Sequence, residues 1–252
     1  MTDLIEKKLR TLEEENGFRI LYACESGSRA WGFASADSDY DIRVIYVWPR
    51  DHYLGVFSPP DTFDFGIDEN DLDLSCWDLR KALPLFRKAN GPLFEWLYSP
   101  IVYFEDKEVL AEWRNLVSAY FVPGHSVGHY LGLSRKINGV IREKGQVTAK
   151  KYLYVLRALL SAAFVVENRT PPPVEFTRLR RQLTLPAEVG QEIDAMIAEK
   201  AGGSESDLIP RNGILDAFVD QQLESVAEEA SSLSSEMGSV PLLDEFFRSV
   251  LS

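Results

Sequence analysis

Cysteine is almost missing from this chain: Cys24 and Cys76 are the two it has in 252 residues. Two thiols are too few to staple a protein of this length. That excludes a disulfide scaffold and leads to the expectation of a reducing, cytoplasmic setting, with both as small buried thiols. Long apolar runs are missing as well. No stretch approaches the roughly 18 residues that a membrane-spanning helix needs. The opening segment "MTDLIEKKLRTLEEENG" is a charged, amphipathic helix start without the basic-then-apolar order of a secretory signal. No membrane partner is therefore expected. Positive charge is scarce too: 27 Lys and Arg face 39 Asp and Glu, a net charge of −12. That balance argues against a non-specific nucleic-acid binder, which is normally basic overall. The sequence shows no internal repeat and no low-complexity segment.

What is present is the texture of a soluble globular protein, 45% apolar and 26% charged, long enough for one large domain or two ordinary ones. The charge is unevenly spread. Residues 1–120 carry 13 basic and 22 acidic side chains, residues 121–170 carry 8 and 2, and residues 171–252 carry 6 and 15. One basic island thus lies between two acidic thirds.

Residues 3–15 read as a helix ended by Asn16-Gly17. "FRILYACE" and "YDIRVIYVW" read as strands, joined by a turn and short helix in "GSRAWGFAS" and a loop in "ADSD". The aperiodic region 51–70 suits a hairpin plus loop, and "LDLSCWDL" a third strand. Helical spacing of Leu83, Phe86, Leu93 and Leu97 is interrupted near Asn90-Gly91-Pro92. "SPIVYFE" is a short strand or extended link, followed by a helix from 107 to about 120. After Pro123-Gly124 the texture becomes nearly all helical, over 125–143, 148–168, 187–200, 212–232 and 239–251. Thr148 is expected as an N-cap and Pro186 as a helix opener, and "TPPPVEF" is a rigid connector. The expectation is an α+β chain: a mixed α/β domain over 1–120 and a helical domain over 121–252.

The most informative stretch is "GSRAWGFASADSDYDIRVIYV". As a phosphate-binding P-loop it has Phe33-Ala34 where Lys-Ser/Thr is required. As a dinucleotide fingerprint it lacks the middle glycine. As an EF-hand, Asp37, Asp39 and Asp41 start correctly, but Ile42 stands where glycine is needed and Trp48 where the bidentate Glu belongs. What survives is strand, Gly-Ser, helical turn, then a strand bearing two acids. Side chains two apart in a strand share a face, so Asp39 and Asp41 project together while Tyr40, Ile42 and Val44 face the core. Two carboxylates aimed at one point repel unless cations neutralise them. Hard oxygen ligands favour Mg²⁺ or Mn²⁺, and two such ions about 4 Å apart suit in-line displacement at phosphorus. Gly27 permits close backbone approach to a phosphate, and the Ser28 hydroxyl and neighbouring N–H groups are donors to it. A third acid is wanted from a separate strand: Asp73, between Leu72 and Leu74, is the first choice, and Asp71 the runner-up.

With these residues in hand, the sequence resembles the DNA polymerase-β-like nucleotidyltransferase superfamily, whose signature is Gly-Ser, about ten residues, then acid-apolar-acid-apolar. Here that is Gly27-Ser28 and Asp39-Tyr40-Asp41-Ile42. More narrowly, "GSRAWGFASADSDYDIRVIY", "DLSCWDLRKALPLFRKANGPLFEWLYSPIVY" and "KKYLYVLRALL…PPPVEF" look like the RNA-repair-associated, RlaP-like family of nucleotidyltransferases, over about residues 20–180. The resemblance implies a small mixed sheet with helices, followed by a helical domain that helps hold the nucleotide. It implies transfer of a nucleoside monophosphate from a nucleoside triphosphate, with pyrophosphate released. Asp39 and Asp41 match its metal-binding acids, and Asp73 the third acid that orients or deprotonates the attacking hydroxyl. Gly27 and Ser28 match its triphosphate-binding turn. Arg29, counted with them as nucleotide-binding, and Ser38 are family-like neighbours without an assigned role. The acceptor is open: an RNA end by family association, or a partner protein as in toxin–antitoxin systems, which the acidic surface fits somewhat better. A non-catalytic nucleotide- or partner-binding module is the alternative from another class.

The basic island has a candidate role beside this site. Lys150, Tyr154 and Arg157 fall on one face of helix 148–168, opposite Leu153, Leu156, Leu160 and Phe164, and Lys136 and Arg142 lie on the preceding helix. The cations suit the β- and γ-phosphates of a bound triphosphate, an RNA phosphate chain, or merely a solvated face. Other features read as structural. His125 and His129 sit at i, i+4 without the glutamate of a zincin motif or an obvious third ligand. Trp31, Trp77 and Trp96 suit core or cleft walls better than base-stacking platforms. Asp78 suits a helix N-cap or first-turn acid.

Overall fold

The computed structural model describes residues 1–203 and 207–252. They form two compact units, one of Met1–Ala30, Asp39–Phe121 and Met237–Ser252, the other of Trp31–Ser38 and Val122–Glu236. These units differ from a division at 120/121 chiefly in two places: residues 31–38 fall in the second unit and residues 237–252 in the first. The C-terminal helix belongs with the first unit, where Phe246 is buried against Trp113. A sequence reading assigns such a helix to its neighbours along the chain, whereas its apolar face packs on a helix more than 120 positions earlier.

The first unit is a five-stranded mixed sheet with helices. Its strands are β1 (Arg19–Glu25), β2 (Tyr40–Val47), β3 (Thr62–Ile67), β4 (Leu72–Asp78) and β5 (Val102–Glu105), in the order β3-β4-β2-β1-β5. The pair β2/β4 is parallel, and the other three pairs are antiparallel. Helix α1 (Thr2–Asn16) covers one face, burying Ile5, Leu9 and Leu12 at i, i+4 and i+7, and stops at Gly17 in the left-handed region. That face continues through Phe18, Ile42, Val44, Tyr46, Leu72, Leu74 and Cys76. Strand β4 alternates strictly between buried and half-buried positions, which sends Asp73, Ser75 and Trp77 to the opposite face. Both cysteines are buried free thiols; burial pushes Cys76 up to about 12 and Cys24 up as well.

The helical signal over 79–98 resolves into α4 (Leu79–Arg87) and α5 (Gly91–Leu97), with α3 (Arg50–Tyr53) before them and α6 (Lys107–Tyr120) after. Asp78 caps α4, accepting from Arg80 N at 2.9 Å and from the Tyr53 hydroxyl at 2.6 Å. Asn90 caps α5 through Leu93 N, and Asp106 caps α6 through Val109 N.

The second unit is helical: α7 (Pro123–Arg142), α8 (Ala149–Asn168), α9 (Phe176–Arg180), α10 (Ala187–Gly202) and α11 (Gly213–Ala230). The first unit's last helix is α12 (Val240–Val250). Thr148 caps α8, accepting from Lys151 N at 3.4 Å. Two short strands, β6 (Gln146–Thr148) and β7 (Leu208–Pro210), pair antiparallel. Three residues are too few to show a period, and neither these strands nor α9 was anticipated. Among the described residues, no helix is long and apolar enough to cross a membrane.

Candidate active site

The acids converge because of sheet register. In the parallel β2/β4 ladder Asp41 lies directly opposite Asp73, and Ile42 opposite Leu74, so two apolar core positions fix two carboxylates on the other face. Asp73, rather than Asp71, is thereby brought to Asp41. Asp71 is exposed in the turn before β4 with φ 58°, donating to Asp68 O and accepting from Tyr40 N. Asp39 is half-buried and stands one residue before β2, its carbonyl accepting from Arg29 Nε at 3.0 Å. The Arg29 guanidinium lies over the Tyr40 ring, 3.7 Å from its centroid.

Between Asp41 and Asp73 sits a residue the sequence reading passed over. Arg43 Nη2 donates to Asp41 Oδ1 and to Asp73 Oδ2, each at 2.7 Å, while Nη1 donates to the carbonyls of Asp73 at 2.9 Å and Ile42 at 3.1 Å. The same period of two that paired Asp39 with Asp41 puts Arg43 on their face, so the signal was available. Glu25, at the end of β1, was also missed. It is fully buried, accepting from Asp41 N at 2.7 Å and from the Tyr103 hydroxyl. Nothing in "LYACE" separates it from an ordinary strand-end acid.

Electrostatically the site is short of positive charge. Burial pushes the Asp41 carboxyl up to about 6, Arg43 works against that shift, and Asp39 and Asp73 add to it. Burial also raises Glu25, opposed by its hydrogen bonds from Tyr103 and from the Asp41 amide. Gly27 has φ +59°, and a Cβ there would fall inside the van der Waals sphere of Asp41 Oδ2. Glycine is required at 27 twice over, by backbone conformation and by the carboxylate against it. Ser28 and Ala30 are buried in the short helix α2 (Gly27–Trp31).

The donor set of Asp39, Asp41 and Asp73 is all carboxylate oxygen, with an excess of negative charge, and this chemistry fits a hard divalent cation. As the side chains stand, no group of three or more His, Cys, Asp or Glu among the described residues is arranged to hold a metal ion; Arg43 occupies the space between Asp41 and Asp73. A cavity of about 690 Å³ in the first unit, lined by Arg50, Arg80, Arg87 and Phe247 among others, lies just past the far end of β4. That end is five residues, about 16 Å, from Asp73.

In the second unit the basic face divides. Lys136, Lys150 and Tyr154 line one shallow groove. Arg157 does not join them. It is buried at 3% exposure, its guanidinium 4.1 Å from the Trp31 ring centroid and Nη2 donating to Val174 O at 3.5 Å. Trp31 also packs edge-on to Tyr154, and Phe33 packs on Phe176. The expectation of a surface cation at 157 is corrected: it lies on nearly the same face as Lys150, but residues 155–162 are all buried, so that stretch of the helix is covered on every side. Arg142 is engaged by Asp216 and Asp220. In the first unit Trp77 and Trp96 pack together with centroids 4.2 Å apart.

An uncharacterized protein of Bacillus subtilis (strain 168), YcgL, is 39% identical over 236 residues, covering 94% of this chain and 90% of its own length. A solved nucleotidyltransferase-like protein from Exiguobacterium sibiricum 255-15 aligns over 98% of this chain and 79% of its own. Its TM-score is 0.32 and its identity 10%, a likeness too faint to bear on the assignment. The family model RlaP, described as the RNA repair pathway DNA polymerase beta family, matches residues 1–249. The chain therefore belongs to the RlaP family, a membership that points to nucleotidyl transfer as its reaction class.

Proposed function

We propose that the protein is a divalent-metal-dependent nucleotidyltransferase that moves a nucleoside monophosphate from a nucleoside triphosphate onto an acceptor hydroxyl, releasing pyrophosphate. The observation that carries this reading is the register match of Asp41 with Asp73 beside Gly27. Asp39, Asp41 and Asp73 are the residues that would hold Mg²⁺ or Mn²⁺, two ions in the full site. When bound, such ions neutralise phosphoryl charge and favour the alkoxide form of an attacking hydroxyl. Asp73 aligns the acceptor hydroxyl and takes its proton. The Gly27-Ser28-Arg29 turn receives the triphosphate, and Lys136, Lys150 and Tyr154 are assigned to nucleotide binding as well. Glu25 holds the Asp41 backbone in place through its amide and acts as a positioning residue.

An RNA end is the acceptor favoured by the family's association with RNA repair. A partner protein is the second reading, favoured by the net charge of −12, which tends to repel a long polynucleotide. The test is incubation with Mg²⁺ and each α-labelled nucleoside triphosphate in the presence of RNA or protein acceptors. Label is expected on one acceptor class, and Asp41→Asn is expected to lower transfer by about 10²–10³-fold. Tight nucleotide binding with no transfer to any acceptor would instead identify a non-catalytic binding module.

A further inference from the structure

We infer that Arg43 is the resident counter-cation of the acid pair and competes with divalent ions for it, so that metal loading requires its guanidinium to leave. This rests on the reading of Asp41 and Asp73 as metal ligands. A single nitrogen, Nη2, contacts both carboxylates at 2.7 Å. The three side chains are only 17%, 21% and 24% exposed, so the bridge is largely shielded from screening by water. An ion held by Asp41 Oδ1 and Asp73 Oδ2 would have to take the place of the guanidinium nitrogen that now contacts both.

The charge balance says which should win. One guanidinium carries +1 against Asp41, Asp73 and the adjacent Asp39, which leaves the cluster negative; a divalent ion cancels more of it. A guanidinium keeps its charge in proteins. It has to move. Once released, its planar fork matches the phosphate oxygens of an incoming triphosphate. Metal alone should then bind weakly, and metal with triphosphate tightly, because the triphosphate gives the displaced cation a new partner. By linkage, each of the two ligands raises affinity for the other.

The experiment is an Mn²⁺ titration followed by electron paramagnetic resonance of the free ion, on the full chain, with and without a non-hydrolysable triphosphate analogue. Arg43→Met is expected to bind Mn²⁺ alone at least tenfold more tightly than the wild type, and to lose most of the strengthening that the analogue produces in the wild type. Arg43→Lys, which keeps the charge on a shorter reach, should fall between them and serves in its place should the Met variant fail to fold. Equal or weaker Mn²⁺ binding by the folded Arg43 variants would overturn the competition and make Arg43 a scaffold for the acids. Absence of Mn²⁺ binding from wild type and variants alike, with or without the analogue, would overturn the metal-site reading beneath it. Asp41→Asn, expected to abolish binding, ties the signal to this site.

Discussion

The acid pair on β2 and β4 and the basic face of α8 were read from sequence by the same kind of periodicity, and the structure treats them differently. Asp41 and Asp73 meet, with Arg43 between them. Lys150 and Tyr154 share a groove, but Arg157 turns into the core against Trp31. The difference lies in what sets each alignment. In a parallel ladder the pairing of Ile42 with Leu74 leaves Asp41 and Asp73 one possible relation. A helical face keeps its direction from i to i+7 but not its exposure: α8 is covered on all sides over 155–162, and a long arginine stem is as ready to line a core as to cross a surface.

Arg157→Ala tests that contrast with the largest expected effect. Loss of a buried side chain packed on an aromatic ring should lower unfolding free energy by about 2–4 kcal/mol, read as a shift in urea midpoint. An unchanged midpoint would return Arg157 to the surface face with Lys150.

Asp41→Asn should do the reverse to stability, although it is expected to lower transfer. Burial holds the Asp41 carboxyl at about 6, above the ordinary value of 3.8. The folded protein therefore binds that proton more tightly than the unfolded chain does, and ionised Asp41 opposes folding above pH 6. The penalty shrinks as pH falls through 6 and is gone below 3.8. In EDTA, the Asn variant should be more stable than the wild type by about 1–3 kcal/mol at pH 7 and equal to it near pH 3.5. A variant less stable at pH 7 would mean that the bridge to Arg43 outweighs the desolvation of the carboxylate.

The smallest effect belongs to Lys150→Ala. A half-buried lysine over Tyr154 should change stability by no more than about 0.5 kcal/mol. It should lower kcat/KM for the nucleoside triphosphate by about tenfold, the worth of one charge-assisted hydrogen bond. Unaltered kinetics would exclude Lys150 from nucleotide binding.

Much of the fold was legible because its signals are local: the apolar period of α1, the caps at Asp78 and Thr148, and the alternation in "LDLSCWD". The placement of Asp73, and not Asp71, on a strand was legible too, since only Asp73 has apolar neighbours on both sides. Arg43 was visible by the same rule and overlooked, because attention to like charges led away from the cation two residues on. Glu25 was not legible; its burial and its bonds to Tyr103 and the Asp41 amide depend on three separate strands.

The sequence by itself determined the strand that bears Asp41, the apolar period of α1 and the caps at Asp78 and Thr148. Those follow from backbone conformation and side-chain period, which neighbouring residues impose. Only the tertiary structure decided that Arg43 bridges Asp41 to Asp73, that Arg157 is a core residue, and that α12 completes the first unit. Each of these is a contact between positions distant in the chain or around a helix, selected by the burial of apolar surface over the whole unit, which no local stretch records.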